Sequence, residues 1–244
     1  MWKGKTVSVV ISSYREKDSI RDVIDGYFAT GVVDEVIAVD NNAELGSNEE
    51  IKKTKARLIV EKRQGQGFGL RTGLREAKGH YVILSEGDGT YDPKDTFKFL
   101  AYGEEFPAVL GTRTNTSLIG PDSGMFFLRR IADELEGRLI EMLFFTNRLT
   151  DVGCTYKLLR KDAIEQLEHP WLTGDSHFVT ETTLQVIAHK IPFIEIPVAF
   201  KRRVGTSAVT ESFSKVAKWG VKLLLFIFMF WLRWIFGRRS GTRK

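Results

Sequence analysis

Four short runs of strand-forming residues, 7–11, 34–40, 57–60 and 81–84, recur through the first third of the chain with a helical pattern between each pair. Each run is too short for a helix, while the intervening segments space their apolar residues as helices do, for example Ile20, Val23, Ile24 and Tyr27. Parallel strands can be joined only by a crossover, so this alternation predicts an α/β domain with a mostly parallel twisted sheet and helices on both faces. A chain of 244 residues suffices for one such domain. Further helices are expected at 96–102, 126–145, from 162, and at 178–189, with strands at 108–111 and at the end of 149–159. Pro121-Asp122-Ser123-Gly124 has turn chemistry, and Pro197 marks the run 193–200 as an edge strand.

The chemistry gathers at the strand tips. The run 81–84 stops at Ser85-Glu86-Gly87-Asp88-Gly89-Thr90, with two carboxylates around a glycine at the C-terminal end of a strand. Open α/β sheets bind ligands at that end. Two such acids suit a hard cation, Mg2+ or Mn2+, completed by substrate phosphates; a solvated acidic turn is the alternative. Gly65-Gln66-Gly67-Phe68-Gly69 opens a helix but has Leu70 where the dinucleotide fingerprint needs glycine, and it follows the third strand rather than the first. A Rossmann oxidoreductase is therefore disfavoured. No Gly-Lys-Ser/Thr loop is present, and the histidines at 80, 169, 177 and 189 form no triad pattern. The single cysteine, Cys154, permits no internal disulfide and fits a reducing compartment. The first apolar run is only a strand long, so no secretory signal is expected. A formal charge of +5 gives little reason to expect a nucleic-acid partner. The basic loop Lys201-Arg202-Arg203-Val204-Gly205-Thr206-Ser207 suits phosphate oxygens.

Taken in order, these motifs resemble family 2 glycosyltransferases of the GT-A fold, specifically the dolichyl-phosphate mannose synthase-like group, over about residues 5–210. Val9-Val10-Ile11-Ser12-Ser13-Tyr14-Arg15-Glu16 is similar to the family's Val-Val-Ile-Pro-Thr-Tyr-Asn-Glu, with Ser12 for proline and Arg15 for asparagine. Val39-Asp40-Asn41-Asn42 lacks one of the family's acids, and Glu86-Gly87-Asp88 stands where the family has Asp-X-Asp. Gly111-Thr112-Arg113, Asp151 through Lys157, Glu181, and Arg202 to Ser207 follow as later blocks.

The resemblance implies a metal-dependent inverting transferase that moves a sugar from a nucleotide-diphosphate donor to a lipid acceptor, a polyprenyl (dolichyl) phosphate. Tyr14, Glu16 and Asp40 would line the nucleotide, with Ser12 and Gly87 in the same donor cradle. Asp88, with Glu86, would hold Mg2+ or Mn2+, and Asp88 counts as catalytic through that ion. Arg113, Arg202 and Arg203 would meet phosphate; for a hydroxyl acceptor, Asp151 and Glu181 are the candidate bases. A catalytically degenerate sugar-nucleotide scaffold is the non-enzymatic rival, on the strength of Ser12, Arg15, Asn41 and Glu86. A sugar nucleotidyltransferase ranks lower, since its Gly-X-Gly-X-Arg start is absent near Val10.

The chain divides by composition into a catalytic domain, 1–210, and a basic, apolar segment, 211–244. Residues 223–232 are unbroken in apolar character between Lys222 and Arg233. As one helix, 219–236 measures about 27 Å, just short of a ~30 Å hydrocarbon core. Trp219, Trp231 and Trp234 favour an interface, and Lys215, Lys218, Lys222, Arg238, Arg239, Arg243 and Lys244 favour anionic lipid. Membrane association with the site on the cytoplasmic side is expected, with homo-oligomerisation through this helix as a further possibility.

Overall fold

A computed structural model describes residues 1–121, 123, 127–167, 171–205 and 213–240. Asp122, Gly124, Phe126, His169, Thr206, Ser207, Arg243 and Lys244 lie outside the described residues, as do the side chains of Lys215, Arg238 and Arg239.

Strands β1 (Val7–Ser13), β2 (Glu35–Asp40), β3 (Arg57–Val60) and β4 (Tyr81–Glu86) alternate with helices α1 (Ile20–Ala29), α2 (Ser47–Lys52) and α3 (Gln66–Glu76). They are followed by α4 (Thr96–Gly103), β5 (Ala108–Thr112), α5 (Phe127–Phe144), β6 (Lys157–Arg160), α6 (Lys161–Ile164), α7 (Phe178–Ala188), β7 (Phe193–Pro197) and α8 (Phe213–Ser240). All seven strands join one sheet in the order β3-β2-β1-β4-β6-β5-β7. The expected mostly parallel sheet is present, and β7 with its proline is an edge strand.

Period-two alternation sorts the strand residues between two cores. Val10, Val82, Leu84, Leu110 and Leu159 face α3, α5, α7 and α8, whereas Val9, Ile11, Ile83, Val109 and Leu158 face α1 and α4. Leu223, Ile227 and Phe230 carry α8 into the first of these cores. They recur at helical spacing and define its buried stripe.

Two topological features place the site. From β1 the chain winds outward to β2 and β3, then α3 returns it to β4 on the other side of β1. The β1–β4 boundary is therefore the switch point where a crevice opens at the carboxyl ends of parallel strands. Ser12 of β1 is in register with Glu86 of β4 at that edge. The second feature is β6, which runs antiparallel between β4 and β5. An antiparallel strand must start at the end where its parallel neighbours finish, so the loop before it, 149–156, lies beside the crevice. β7 parallels β5 and delivers residues 198–205 to the same edge.

The α3–β1 contact has no room for a side chain at Gly73, where a Cβ would fall 2.1 Å from Val10 Cγ1. Val10 is itself fully buried in a central strand and cannot yield. Gly73→Ala regains about 1 kcal/mol of helix propensity, but overpacking costs ~1–3 kcal/mol and dominates here. A urea midpoint below wild type with an unchanged m-value is expected; an equal or higher midpoint would show that the helix and strand separate without cost.

Candidate active site

Five segments meet at the switch point, namely the tips of β1 and β4, the start of α3, the loop before β6 and the strand exit at 201–205. Burial at this point makes every charge expensive unless it is paired. Asp88 is 1% exposed. Its Oδ1 accepts from Thr90 N at 3.0 Å and Thr90 Oγ1 at 2.6 Å. Its Oδ2 lies 2.6 Å from Arg203 Nη2 yet has no hydrogen-bond donor, because the guanidinium sits off the hydrogen-bonding angle. The same nitrogen is 3.6 Å from Glu86 Oε2. Glu86 Oε1 accepts from Thr155 Oγ1 at 2.6 Å and Gln66 Nε2 at 3.2 Å. Backbone bonds hold the basic loop in place, from Val204 N to Asp88 O and from Lys201 N to Thr90 O.

Glu16 completes the group. Its Oε2 accepts from Tyr14 N at 2.5 Å. Burial, then the Asp88 and Glu86 charges, push its carboxyl up to about 7 against the Tyr14 N–H and Arg203. Burial and the Glu86 charge likewise raise Asp88 to about 6, although Arg203 and Thr90 oppose the rise. Three carboxylates around one guanidinium leave a residual negative charge, which adds to burial in raising Glu16 and Asp88. Oxygen donors, an orphaned buried carboxylate oxygen and under-compensated charge fit a hard divalent cation. Among the described residues no three His, Cys, Asp or Glu side chains form a metal cage. A cation at this point would rest on two carboxylates and complete its shell with substrate and water.

The other expected residues divide. Gly87 lies beside this group, with its carbonyl accepting from Ser19 Oγ at 2.7 Å, and Ser12 packs its hydroxyl against Gly69. The Tyr14 ring lies 5.0 Å under the Arg15 guanidinium. A cleft of about 150 Å3 opens there, lined by Arg15, Glu16, Asp18, Ser19 and Glu44 with Val204 and Gly205. Asp40 sits at the β2 tip but spends its oxygens locally, Oδ1 on Ala43 N in the following loop and Oδ2 on Asn48 Nδ2 at the start of α2, both at 2.7 Å. Arg202 is exposed.

Asp151 and Arg113 take each other. Arg113 Nε and Nη2 donate to the two Asp151 oxygens at 2.7 and 2.8 Å, and the Arg113 backbone N donates at 2.9 Å. Burial alone would raise Asp151, but the Arg113 charge and hydrogen bonds outweigh it and hold the carboxyl below its usual range. A carboxylate so held is a poor proton acceptor, and Arg113 has committed two donors away from any phosphate. Glu181, fully buried in α7, accepts from Leu172 N at 2.6 Å and Thr173 N at 3.0 Å and so fastens the loop before its own helix. Neither candidate base is presented to the crevice in this structure.

That loop seats the glycine-rich start of α3. A Cβ on Gly65 would fall 2.3 Å from Gly174 O, and one on Gly67 would fall 2.7 Å from Asp175 O. Gly65 also has φ 141°, which suits glycine alone. The close approach brings Gln66 to Glu86. Sequence reasoning passed over Gln66 and Thr155, although both lie inside motifs it singled out. For Gln66 the signal was a lone polar side chain between glycines in Gly65-Gln66-Gly67; Thr155, in a motif with Asp151 and Lys157, gave none.

Behind Asp151, on α5, Asp133 and Glu136 are buried, and the Asp133 Oδ2 has no hydrogen-bond partner. Burial and the Asp151 charge raise Asp133 to about 7; burial with the Asp133 and Asp151 charges raises Glu136 to about 8. Both folded-state values exceed the ordinary carboxylate range near 4. Between that range and about 8 the native state binds more protons than the unfolded chain, so their contribution to stability falls as pH rises. Urea midpoints should decline from pH 5.5 to pH 8, and Glu136→Gln should flatten the decline. An unchanged slope in that variant would remove Glu136 from the account.

Comparison with known proteins agrees with this geometry. A model of the family described as "Glycosyl transferase family 2" matches residues 8–168. Glycosyltransferase AglJ of Haloferax volcanii is 29% identical over 200 residues, covering 81% of this chain and 63% of that protein. Dolichol-phosphate mannosyltransferase of Saccharomyces cerevisiae is 28% identical over 135 residues, covering 51% of this chain and 50% of that protein. The chain thus spans between half and two thirds of the length of these relatives. Glucosyl-3-phosphoglycerate synthase from Mycobacterium tuberculosis, crystallised with Mn2+, UDP and glucosyl-3-phosphoglycerate, superposes with a TM-score of 0.70 at 16% identity, over 92% of this chain and 80% of that one. Its complex with Mg2+ and UDP gives 0.68 at 15% identity, over 92% and 79% of the two chains. That likeness establishes the GT-A fold. With motif order, fold and family model in agreement, the chain belongs to glycosyltransferase family 2.

Proposed function

We propose that this chain transfers a sugar from a nucleoside-diphosphate sugar to a lipid-borne phosphate at a membrane surface, with a divalent cation at Glu86 and Asp88. The observation that carries the reading is the convergence of Asp88 Oδ2 and Glu86 Oε2 on one point at the switch-point crevice, now held by Arg203 Nη2. When bound there, the ion supplies electrostatic stabilisation of the departing diphosphate. Tyr14 and the cleft beside Glu16 face the nucleoside. Arg203 lies next to the ion's place and, with the exposed Arg202, offers the phosphate-binding charges of the crevice, while Lys201 is taken by Asp92 at 2.8 Å. The acceptor oxygen bonds to the anomeric carbon as the bond to the nucleoside diphosphate breaks. An ionised phosphate needs no proton removed, which agrees with Asp151 and Glu181 being sealed in structural bonds.

The lipid side of the proposal rests on α8. Leu223, Ile227 and Phe230 are buried, while Val221, Leu225 and Phe228 leave an exposed apolar stripe on the other side. The stretch Lys218–Phe236 is long and apolar enough to cross a membrane by length and composition. Its docking onto α5, with Trp231 Nε1 donating to Leu143 O at 2.7 Å, favours a helix lying in the interface. Exposed Lys218, Lys222 and Arg233 suit anionic headgroups. Flotation with anionic vesicles should recover the protein, and Leu225→Glu with Phe228→Glu should lower recovery while leaving the melting temperature near wild type. Recovery that ignores both substitutions would place the contact elsewhere.

Incubation with a panel of radiolabelled nucleotide sugars, membrane lipid extract and Mg2+ or Mn2+ tests the transfer itself. Label should enter the organic phase, and a chelator should stop it. Asp88→Asn should reduce it by about 100-fold or more, the scale of losing a preorganised electrostatic group. Nucleotide binding without transfer to any lipid or water-soluble phosphorylated acceptor would favour a non-catalytic scaffold.

A further inference from the structure

A glutamate at position 86 carries one methylene more than an aspartate, and an unrestrained arm of that length would place its oxygens poorly. The structure restrains it. Thr155 Oγ1 at 2.6 Å and Gln66 Nε2 at 3.2 Å both donate to Oε1, leaving Oε2 on the side of Arg203 Nη2 and Asp88 Oδ2. Asp88 is held in the same manner, with Oδ1 taken by Thr90 N and Oγ1 and Oδ2 left over. Each carboxylate thus has one oxygen tied by a threonine hydroxyl and a second donor, and the other turned to the shared point. Thr155 is itself fixed, since it is 2% exposed and its backbone N donates to the Tyr91 hydroxyl at 3.2 Å. Two residues further on, the buried Lys157 ammonium donates to Cys154 O and fastens the same loop. Gln66 is brought in by the glycine contacts at 65 and 67 with residues 174 and 175.

We propose that Gln66 and Thr155 are positioning residues for Glu86. They clamp Oε1 so that the longer side chain presents a single oxygen, Oε2, to the divalent cation and so does the work of an aspartate. The inference rests on the proposed reading of Glu86 and Asp88 as the cation pair. Outer donors that orient a ligand commonly cost 10–100-fold in metal affinity when removed. Oε1 satisfied for stability alone would give the same contacts, and a double-mutant cycle separates the two.

The test is Mn2+ binding to the full chain, read from loss of the free-ion electron paramagnetic resonance signal, with melting temperature measured alongside. Thr155→Val should weaken Mn2+ about 10-fold. Thr155→Ser, which keeps the hydroxyl, should restore affinity, and Gln66→Leu should weaken it less because its bond is longer. In a Glu86→Ala background, Thr155→Val and Gln66→Leu should change nothing further. Equal losses with and without Glu86, or no loss from either substitution while Glu86→Ala weakens binding, would overturn the clamp and leave the cation pair standing. Wild-type affinity in both Glu86→Ala and Asp88→Asn would overturn the cation reading itself. Gln66→Leu, at a partly exposed helix start, carries the test even where Thr155→Val fails to fold.

Discussion

The cost of burying the Asp88 carboxylate organises this molecule. Sheet topology puts the β4 tip against the β1 tip at the point where the crossovers change direction, and a side chain leaving that tip has little water around it. A carboxylate there must be neutralised or hydrogen-bonded, or its proton affinity rises. Segments far apart in sequence answer that demand. Ser19 ties the Gly87 carbonyl, Val204 ties the Asp88 carbonyl, and Arg203 brings its charge to Oδ2. The position of residues 201–205 at the crevice follows from what residues 86–90 require.

A second buried acid supplies the contrast. Asp151 and Asp88 are each 1% exposed, yet burial leaves one below its ordinary proton affinity and the other above it. The difference lies in the donors. Asp151 receives Arg113 on both oxygens and a backbone N–H besides, a bidentate arrangement that compensates desolvation. Asp88 has both of its hydrogen bonds on one oxygen and a misaligned guanidinium at the other. Full satisfaction lets Asp151 hold structure together, whereas the one-sided satisfaction of Asp88 leaves an oxygen without a donor. Burial alone would have ranked the two as equals.

This contrast also explains what the sequence could disclose. Strand and helix positions were legible because periodicity is a local property, and the strand tips were legible because a parallel sheet puts its ligands there. Asp88 and Glu86 were singled out through that rule, and Glu16 only through the family resemblance. The insertion of β6 between β4 and β5 was not legible, since strand order depends on long-range pairing that no local pattern encodes. Without that insertion, Asp151 reads as one more acid in the block 151–157, whereas its partner Arg113 lies 38 positions away. Thr155 and Gln66 escaped for the same reason, because each acquires meaning only through a contact with Glu86 across 69 and 20 positions. The breadth of α8's exposed face was likewise hidden, because composition shows an apolar run but not which stripe of it packs.

The placement of the acids bears on the acceptor. Removing a proton from a hydroxyl calls for a carboxylate at the crevice that is free to receive it. Asp151 is held by Arg113, Glu181 by two backbone N–H groups, and Glu86 and Asp88 by their threonines. Glu16 has the proton affinity for such a task, but the rise comes from burial and from Asp88 and Glu86, so a cation between those two would pull it back down. Under the proposed reading the acceptor arrives already ionised and needs no such base, and the exposed Arg202 with Arg203 supplies positive charge at the crevice.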